Sequence, residues 1–504
     1  MIETKEPPLK DVIETISYPM ILIGLFGGLL LAWLLPDSLS FAGRAAAGGA
    51  LLMAVWWMTE AIPIPVTSML PLVLFPLFGI GTFGEMAAPY ANSVVFLVLG
   101  GVILGLATER SDLHRRVALR TIQVVGTRPD QIVLGMMLSS AFISAWISNT
   151  ATAVIMVPIG VSILKLVRNL ESQEGEVNHD WKFSAALMLG IAYGVTIGST
   201  ATLIGQPPTA LMAAYLQEQQ GYTIGFAEWM MVGVPFAIVM LIIAWVLLTK
   251  VVYRSKLREL PGGTELIRKE VEALGPMSKS EARVGMIFLG AIFFWVAVPL
   301  LTKISIVNEA LPFLAGISSS QVAMTAAVAC FIVSSGKKNS QGKSVALLTW
   351  DAAREIPWGL LLLFGGGLSL SAAFTMTGLS NWIGEQVGSL GDLPPLLIMM
   401  IAAIVGLGLT ELTSNTATAA AFFPIMGSVA IGVGIDPLIM TALMTLSICS
   451  AYMLPVATPS NAVAFGSGEV SIKQMVRAGV FLNIISLVVI FIMIQTLVPM
   501  VLGR

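Results

Sequence analysis

The sequence predicts an all-α polytopic membrane protein. Three observations carry that prediction. The 504 residues are 56% hydrophobic and 11% charged, with a mean hydropathy of +0.88, whereas soluble domains carry about 25% charged residues. Stretches free of Asp, Glu, Lys and Arg recur at about the 20 residues a helix needs to cross a bilayer. Two oversized apolar stretches, far apart in the chain, carry matching text.

Composition also excludes. Lys and Arg (27) against Asp and Glu (29) leave a net charge of −2, so no basic surplus serves nucleic acid. Two cysteines, Cys330 and Cys449, both in apolar runs, build neither a disulfide scaffold nor a thiolate metal site. The two histidines, His114 and His179, are read in polar loops. With no reactive cluster at a water interface, the chain reads as no enzyme.

The opening residues 1–16 mix charges and lack the basic start and short apolar core of a secretory signal. The apolar run Ser17–Pro36, within the charge-free stretch Thr15–Pro36, therefore reads as a first transmembrane helix. Further stretches near one span long are Ala61–Gly84, Met86–Thr108, Trp229–Thr249, Val284–Thr302, Ala310–Gly336, Ile356–Gly384 and Ala478–Gly503. Ala45–Thr59 is shorter, with Trp56 and Trp57 near its end as interface anchors and Glu60 beside them.

Gln131–Leu164 and Phe183–Gln217 are too long for one crossing, as are Leu393–Ile435, broken only by Glu411, and Pro437–Gly468. Ser148-Asn149-Thr150-Ala151-Thr152-Ala153 centres the first, and Ser414-Asn415-Thr416-Ala417-Thr418-Ala419 centres the third. Gly205-Gln206-Pro207-Pro208-Thr209 follows in one half and Ala457-Thr458-Pro459-Ser460-Asn461 in the other. The chain is duplicated, with offsets of 266 (414 − 148) and 252 (458 − 206); an extra polar loop, Glu171–Lys182, accounts for the difference.

A polar triplet inside an apolar stretch reads either as one long helix with packed polar groups or as a hairpin that turns at the triplet. Asn and Ser side chains compete for backbone hydrogen bonds and favour the turn. Pro207-Pro208 and Pro459 break the companion stretches, because proline lacks the N–H and clashes with the preceding turn. Such breaks at membrane depth survive within protein or beside a wet cavity.

Eleven spans plus two hairpins, started from a cytoplasmic N-terminus, place 24 basic residues inside and only Arg44, Lys303 and Arg504 outside, as the positive-inside rule expects. The C-terminus is then extracytoplasmic. The first hairpin opens from the cytoplasm and the second from outside, so the repeats are inverted. Inverted repeats with paired broken segments point to a secondary transporter with a midplane site.

No Lys or Arg lies in Glu355–Ile472, in Asp130–Leu164 or in Phe183–Thr249. The site must be built from hydroxyls, amides, freed carbonyls and helix N-termini. Oxygen ligands suit a hard cation such as sodium, and helix N-termini suit a carboxylate. Two unit charges about 4 Å apart interact by ~4 kcal/mol at an effective dielectric of about 20, so one or two bound cations decide whether a dianion binds. Small polar residues also simply pack helices; Ser139, Thr152 and Thr418 are read that way. Glu411 is open to a proton-coupling role or to a place facing a wet vestibule.

These motifs resemble the divalent anion/sodium symporter family, the dicarboxylate and citrate carriers. The resemblance runs from Trp56-Trp57-Met58-Thr59-Glu60-Ala61-Ile62-Pro63-Ile64 to Leu454-Pro455-Val456-Ala457-Thr458-Pro459-Ser460-Asn461-Ala462. It implies an elevator-type homodimer of the bacterial inner membrane that couples sodium to a C4 dicarboxylate such as succinate, malate or fumarate. A dicarboxylate exchanger of the same fold and a citrate or sulfate carrier stand as alternatives; a channel would show unitary currents. The expected division is scaffold 1–130, transport part 131–252 (hairpin 131–164, broken helix 183–217), linker and scaffold 253–390, and transport part 391–504 (hairpin 393–435, broken helix 437–468, last helix 478–503). Motif matching implies carboxylate contacts from Ser148, Asn149, Thr150, Ser414, Asn415, Thr416, Thr458 and Pro459. It implies one sodium at Ser144, Ser148, Asn149 and Gly198 and a second at Thr410, Thr413, Asn415 and Ala457. Gln206 and Thr209 depart from the family pattern, which has a small Ser or Thr and an Asn there.

Overall fold

The computed structural model describes residues 16–126, 128–173, 181–255, 268–269, 271–388 and 393–503. Lys5, Lys10, His179, Arg504 and most of the polar loop 171–182 lie outside the described residues. The chain is a helical membrane protein. Eight helices among the described residues are long and apolar enough to cross a membrane, and six shorter apolar helices accompany them. Among the described residues, with both hairpins set aside and each broken helix taken as one unit, eleven apolar helical units remain, the expected number.

Some units differ from their sequence outline. Ala61–Gly84 is not one helix: Pro63 and Pro65 open Ile64–Thr67, Pro71 opens Leu70–Leu77, and Pro76 lies inside the second of these. Before Ser93–Arg110 the Asn92 side chain accepts from Val94 N at 2.9 Å and starts the helix. His114 sits not in a loop but buried in the first turn of Leu113–Val125, its Nδ1–H donating to Thr108 O at 3.1 Å. Ala310–Gly336 shortens to Ser319–Ile332 and ends in a two-stranded antiparallel ribbon, Ser334–Lys338 with Ser344–Ala346. A helical apolar outline carries no sign of that ribbon.

The duplication is visible as architecture. In the first half the hairpin Pro129–Ser144/Asn149–Gln173 packs on Trp181–Gly198; in the second, Pro395–Thr410/Asn415–Gly432 packs on Pro437–Ile448. The halves then cross. Pro207–Gln220 packs on the second hairpin's returning arm, and Pro459–Gly466 packs on the first hairpin's. Each broken helix therefore closes the other repeat's hairpin, and the four interruptions meet in one place.

Close packing there rests on small residues. Gly190, Gly194 and Gly198 recur every four residues and face Val133, Met137 and Ala141 of the hairpin's first arm. A Cβ on Gly194 would lie 2.7 Å from Met137 O, and one on Gly198 would collide with the Ala141 backbone. Gly198→Ala is expected to cost about 1–3 kcal/mol by overpacking, read as a lower thermal midpoint of the detergent-purified protein. An unchanged midpoint would show that the two helices part easily.

Arg116 is buried and donates through Nε to Glu281 Oε1 at 2.7 Å and through Nη1 to Gly275 O at 3.0 Å. Both charges have several partners, which offsets the cost of desolvating them. The contact holds Leu113–Val125 against Lys279–Leu301.

Candidate functional site

Each hairpin ends in a non-helical turn of four residues, Ala145–Ser148 and Glu411–Ser414. The entering arm presents its C-terminal carbonyls to this turn, and the returning arm presents its N-terminal N–H groups. Negative and positive helix ends thus lie side by side, the arrangement that serves a cation and a carboxylate together.

The two tips share one internal hydrogen bond. Ser144 Oγ donates to Asn149 Oδ1 at 2.8 Å, and Thr410 Oγ1 donates to Asn415 Oδ1 at 2.5 Å. The spacing is five residues in both. Each asparagine is held through its Oδ1 by a buried hydroxyl. Ser148 Oγ accepts from Ala151 N at 3.3 Å. Thr413 Oγ1 donates to Leu409 O and meets Thr418 Oγ1, both at 2.8 Å, so Thr418 braces the tip rather than only packing.

The breaks are anchored to the tips in unlike ways. In the first half Thr202 Oγ1 donates to Ala145 O at 2.5 Å and accepts from Gly205 N at 3.1 Å. In the second, the Glu411 carboxylate, 5% exposed, accepts from Tyr452 N at 2.9 Å, from Leu454 N at 3.1 Å and from Asn483 Nδ2 at 2.6 Å. Met453 N donates to both of its oxygens, at 3.1 and 3.2 Å. Ala145 holds the position of Glu411 in the other repeat. One neutral bond does for the first half what a carboxylate with three backbone donors and an amide does for the second.

Tips and breaks line a single cavity of about 670 Å³. All eight residues expected to meet a carboxylate lie in its wall: Ser148, Asn149, Thr150, Ser414, Asn415, Thr416, Thr458 and Pro459. Of the expected sodium residues, Ser148, Asn149, Thr413, Asn415 and Ala457 line it. Ser144 and Thr410 stand one layer behind, bonded to the lining asparagines. Gly198 does not reach the wall; it is used up against Ala141. Gly205 lines the cavity instead, and any side chain there would strike the Ser199 carbonyl. The lining also includes Trp146 and Gln206, and it reaches Glu60, Glu109 and Glu355. Glu355 is paired with Arg110 at 2.7 Å. No Lys or Arg occurs among the described residues of the wall.

The family profile described as "Sodium:sulfate symporter transmembrane region" matches residues 16–503. The chain belongs to the divalent anion/sodium symporter family. This transporter is 41% identical to the sodium-dependent dicarboxylate transporter SdcS of Staphylococcus saprophyticus over 468 residues, 93% of this chain and 88% of that protein. It is 41% identical to SdcS of Staphylococcus aureus over 487 residues, 96% of this chain and 92% of that protein. Among solved structures it is similar to the Alcanivorax borkumensis YdaH transporter, with a TM-score of 0.59 at 12% identity, covering 89% of this chain and 98% of that one. It is also similar to Neisseria gonorrhoeae MtrF, with a TM-score of 0.53 at 14% identity, covering 94% and 93%. The two structural likenesses show the shared fold.

Proposed function

We propose that this transporter is a sodium-coupled symporter of C4 dicarboxylates, with succinate, malate and fumarate as its guests. The observation that carries the reading is the cavity wall: paired Ser-Asn-Thr tips, two helix breaks and no basic side chain. A dianion held by neutral dipoles alone needs mobile cations beside it, at ~4 kcal/mol per close pair on the scale above. The names of the SdcS relatives agree with that requirement. Ser148, Asn149, Thr150, Ser414, Asn415, Thr416, Thr458 and Pro459 contact the carboxylates in this reading. At least two sodium ions use the tip hydroxyls, the tip amides and freed carbonyls: one beside Ser144, Ser148 and Asn149, with Gly205 rather than Gly198 supplying the break, and one beside Thr410, Thr413, Asn415 and Ala457.

The protein works as a homodimer in a bacterial inner membrane, with the N-terminus in the cytoplasm and the C-terminus outside. Residues 131–252 and 391–504 form the moving body of an elevator against the scaffold of 1–130 and 253–390. Glu60, Glu109 and Glu355 border chain ends that the basic-residue count assigns to the cytoplasm, so the cavity described opens inward.

Uptake of labelled succinate into proteoliposomes tests the reading. An inward sodium gradient is expected to raise the initial rate at least tenfold over choline, with no need for internal dicarboxylate. Uptake that requires internal dicarboxylate and ignores sodium would make the protein an exchanger. Preference for citrate or sulfate in a competition panel would reassign the substrate.

A further inference from the structure

A second cavity lies where three helix ends meet. They are the start of Pro129–Ser144, the start of Trp181–Gly198, and the end of Phe226–Val246 with its π-helical extension Leu247–Val252. The cavity measures about 820 Å³. Arg128, Lys250 and Arg254 line it, and Asp130 is the one carboxylate among its described lining residues. Lys250 is already paired: its Nζ donates to Asp130 Oδ2 at 2.6 Å and lies 5.6 Å from the centre of the Trp245 ring. Trp245 Nε1 in turn donates to Asp130 O at 2.9 Å, which fixes the pair in place. Among the described residues, no hydrogen bond or ion pair engages the guanidinium of Arg128 or of Arg254. Three basic side chains against one carboxylate leave the wall two positive charges in excess (3 − 1 = 2). Unpaired guanidinium groups on a concave wall suit a phosphate, whose oxygens accept their forked N–H donors.

The helix that ends at this cavity separates one kind of phosphate from another. Ile238, Ile242, Val246 and Val251 are all exposed. The first three are four residues apart and share one face of an α-helix. Val251 follows after five, a step that would leave that face in an α-helix. The π-helical turn accommodates the extra residue; Tyr253 N donates to Leu248 O at 2.9 Å, five residues back. The apolar row therefore continues to the cavity rim, where Lys250 and Arg254 begin. Tyr253 is buried and donates through its hydroxyl to Gln474 O at 2.6 Å, so this end is held against Ile472–Gln495. A free phosphate has no use for an exposed apolar row leading to its site, whereas acyl chains do.

We infer that this cavity binds the phosphate headgroup of an anionic phospholipid, whose acyl chains lie along the exposed row of Phe226–Val252. Arg128 and Arg254 hold the phosphate, and the Lys250–Asp130 pair shapes the wall between them. Basic pockets between helix ends at the membrane boundary are suited to such headgroups. A zwitterionic lipid brings its own ammonium to a wall already in positive excess and is disfavoured there.

Native mass spectrometry of the detergent-purified protein tests the site, with dioctanoyl phosphatidylglycerol and dioctanoyl phosphatidylcholine as the two probes. Phosphatidylglycerol is expected to half-saturate the wild type at a concentration about tenfold below phosphatidylcholine. The double variant Arg128→Gln/Arg254→Gln is expected to lose that preference. Thermal midpoints without added lipid are expected to match wild type, because both side chains are exposed and unpaired. Should the double variant fail to fold, Arg128→Gln and Arg254→Gln alone are each expected to weaken phosphatidylglycerol binding and leave phosphatidylcholine binding unchanged. Inorganic phosphate and the deacylated headgroup glycerophosphoglycerol, each added in large excess, are expected not to displace the lipid. Displacement by inorganic phosphate at concentrations comparable to the lipid would make this a free-phosphate site and overturn the lipid assignment. Equal binding of the two lipids to wild type, or an undiminished preference in the arginine variants, would overturn the site itself.

Discussion

Asn415→Ala is expected to abolish sodium-driven succinate uptake, and Asn149→Ala to do the same, with both proteins still folded. Each asparagine does two things at once. Its Oδ1 is held by a buried hydroxyl on the arm before it, Thr410 in one repeat and Ser144 in the other. Both asparagines line the cavity. Alanine removes the contact to the guest and also leaves the hydroxyl behind it without its acceptor. A hydrogen bond to a charged group is worth about 1.5–3 kcal/mol and a stranded buried hydroxyl about 1 kcal/mol or more, together about sixtyfold or more in affinity. Each substitution strands one hydroxyl and leaves the packing of the arms in place, so a melting midpoint within a few degrees of wild type is expected beside the lost uptake. Full transport by either variant would take that triplet out of the site.

The second large effect falls on stability. Glu411→Gln is expected to lower the unfolding midpoint strongly, with a cost of about 3 kcal/mol. All of the partners of Glu411 are donors: the N–H groups of Tyr452, Met453 and Leu454 and the Asn483 amide. A glutamine would present an NH₂ to donors that need an acceptor. The break at 452–454 would lose its tie to the tip, and Ala457 and Thr458 would drift from the second triplet. Uptake would fall together with stability. A residue that only carried protons would behave otherwise, since its glutamine variant would keep the wild-type midpoint and lose only the pH dependence of transport. That outcome would dismiss the anchoring role.

Much of this site was legible before any coordinates. Polar triplets stranded in charge-free apolar text have no reason to exist in lipid unless they turn the chain or bind something, and their repetition after 266 residues marks both at once. The same logic located the breaks at Pro207 and Pro459, which the structure places within one residue of the helix starts. Other features left no mark of that kind. The Gly190, Gly194 and Gly198 stripe looks like ordinary membrane sequence until its partner arm is known. Gly198 and Gly205 are both glycines near a break, each pressed against backbone, and only the folded cavity shows that Gly205 is the one that lines it. Glu411 was open to a proton-coupling role or a vestibule place, with the transport role the less favoured, because its donors come from positions more than 40 residues away.

Local text by itself determined the class, the duplication, the hairpins and the absence of a fixed cation, because hydropathy, proline and charge act over a few residues or by simple exclusion from lipid. Tertiary structure alone decided that each half-helix closes the opposite repeat's hairpin, that Glu411 is an anchor, and that Gly205 rather than Gly198 lines the cavity. Those outcomes depend on which backbone groups remain unpaired after distant segments meet, and no run of neighbouring residues records that.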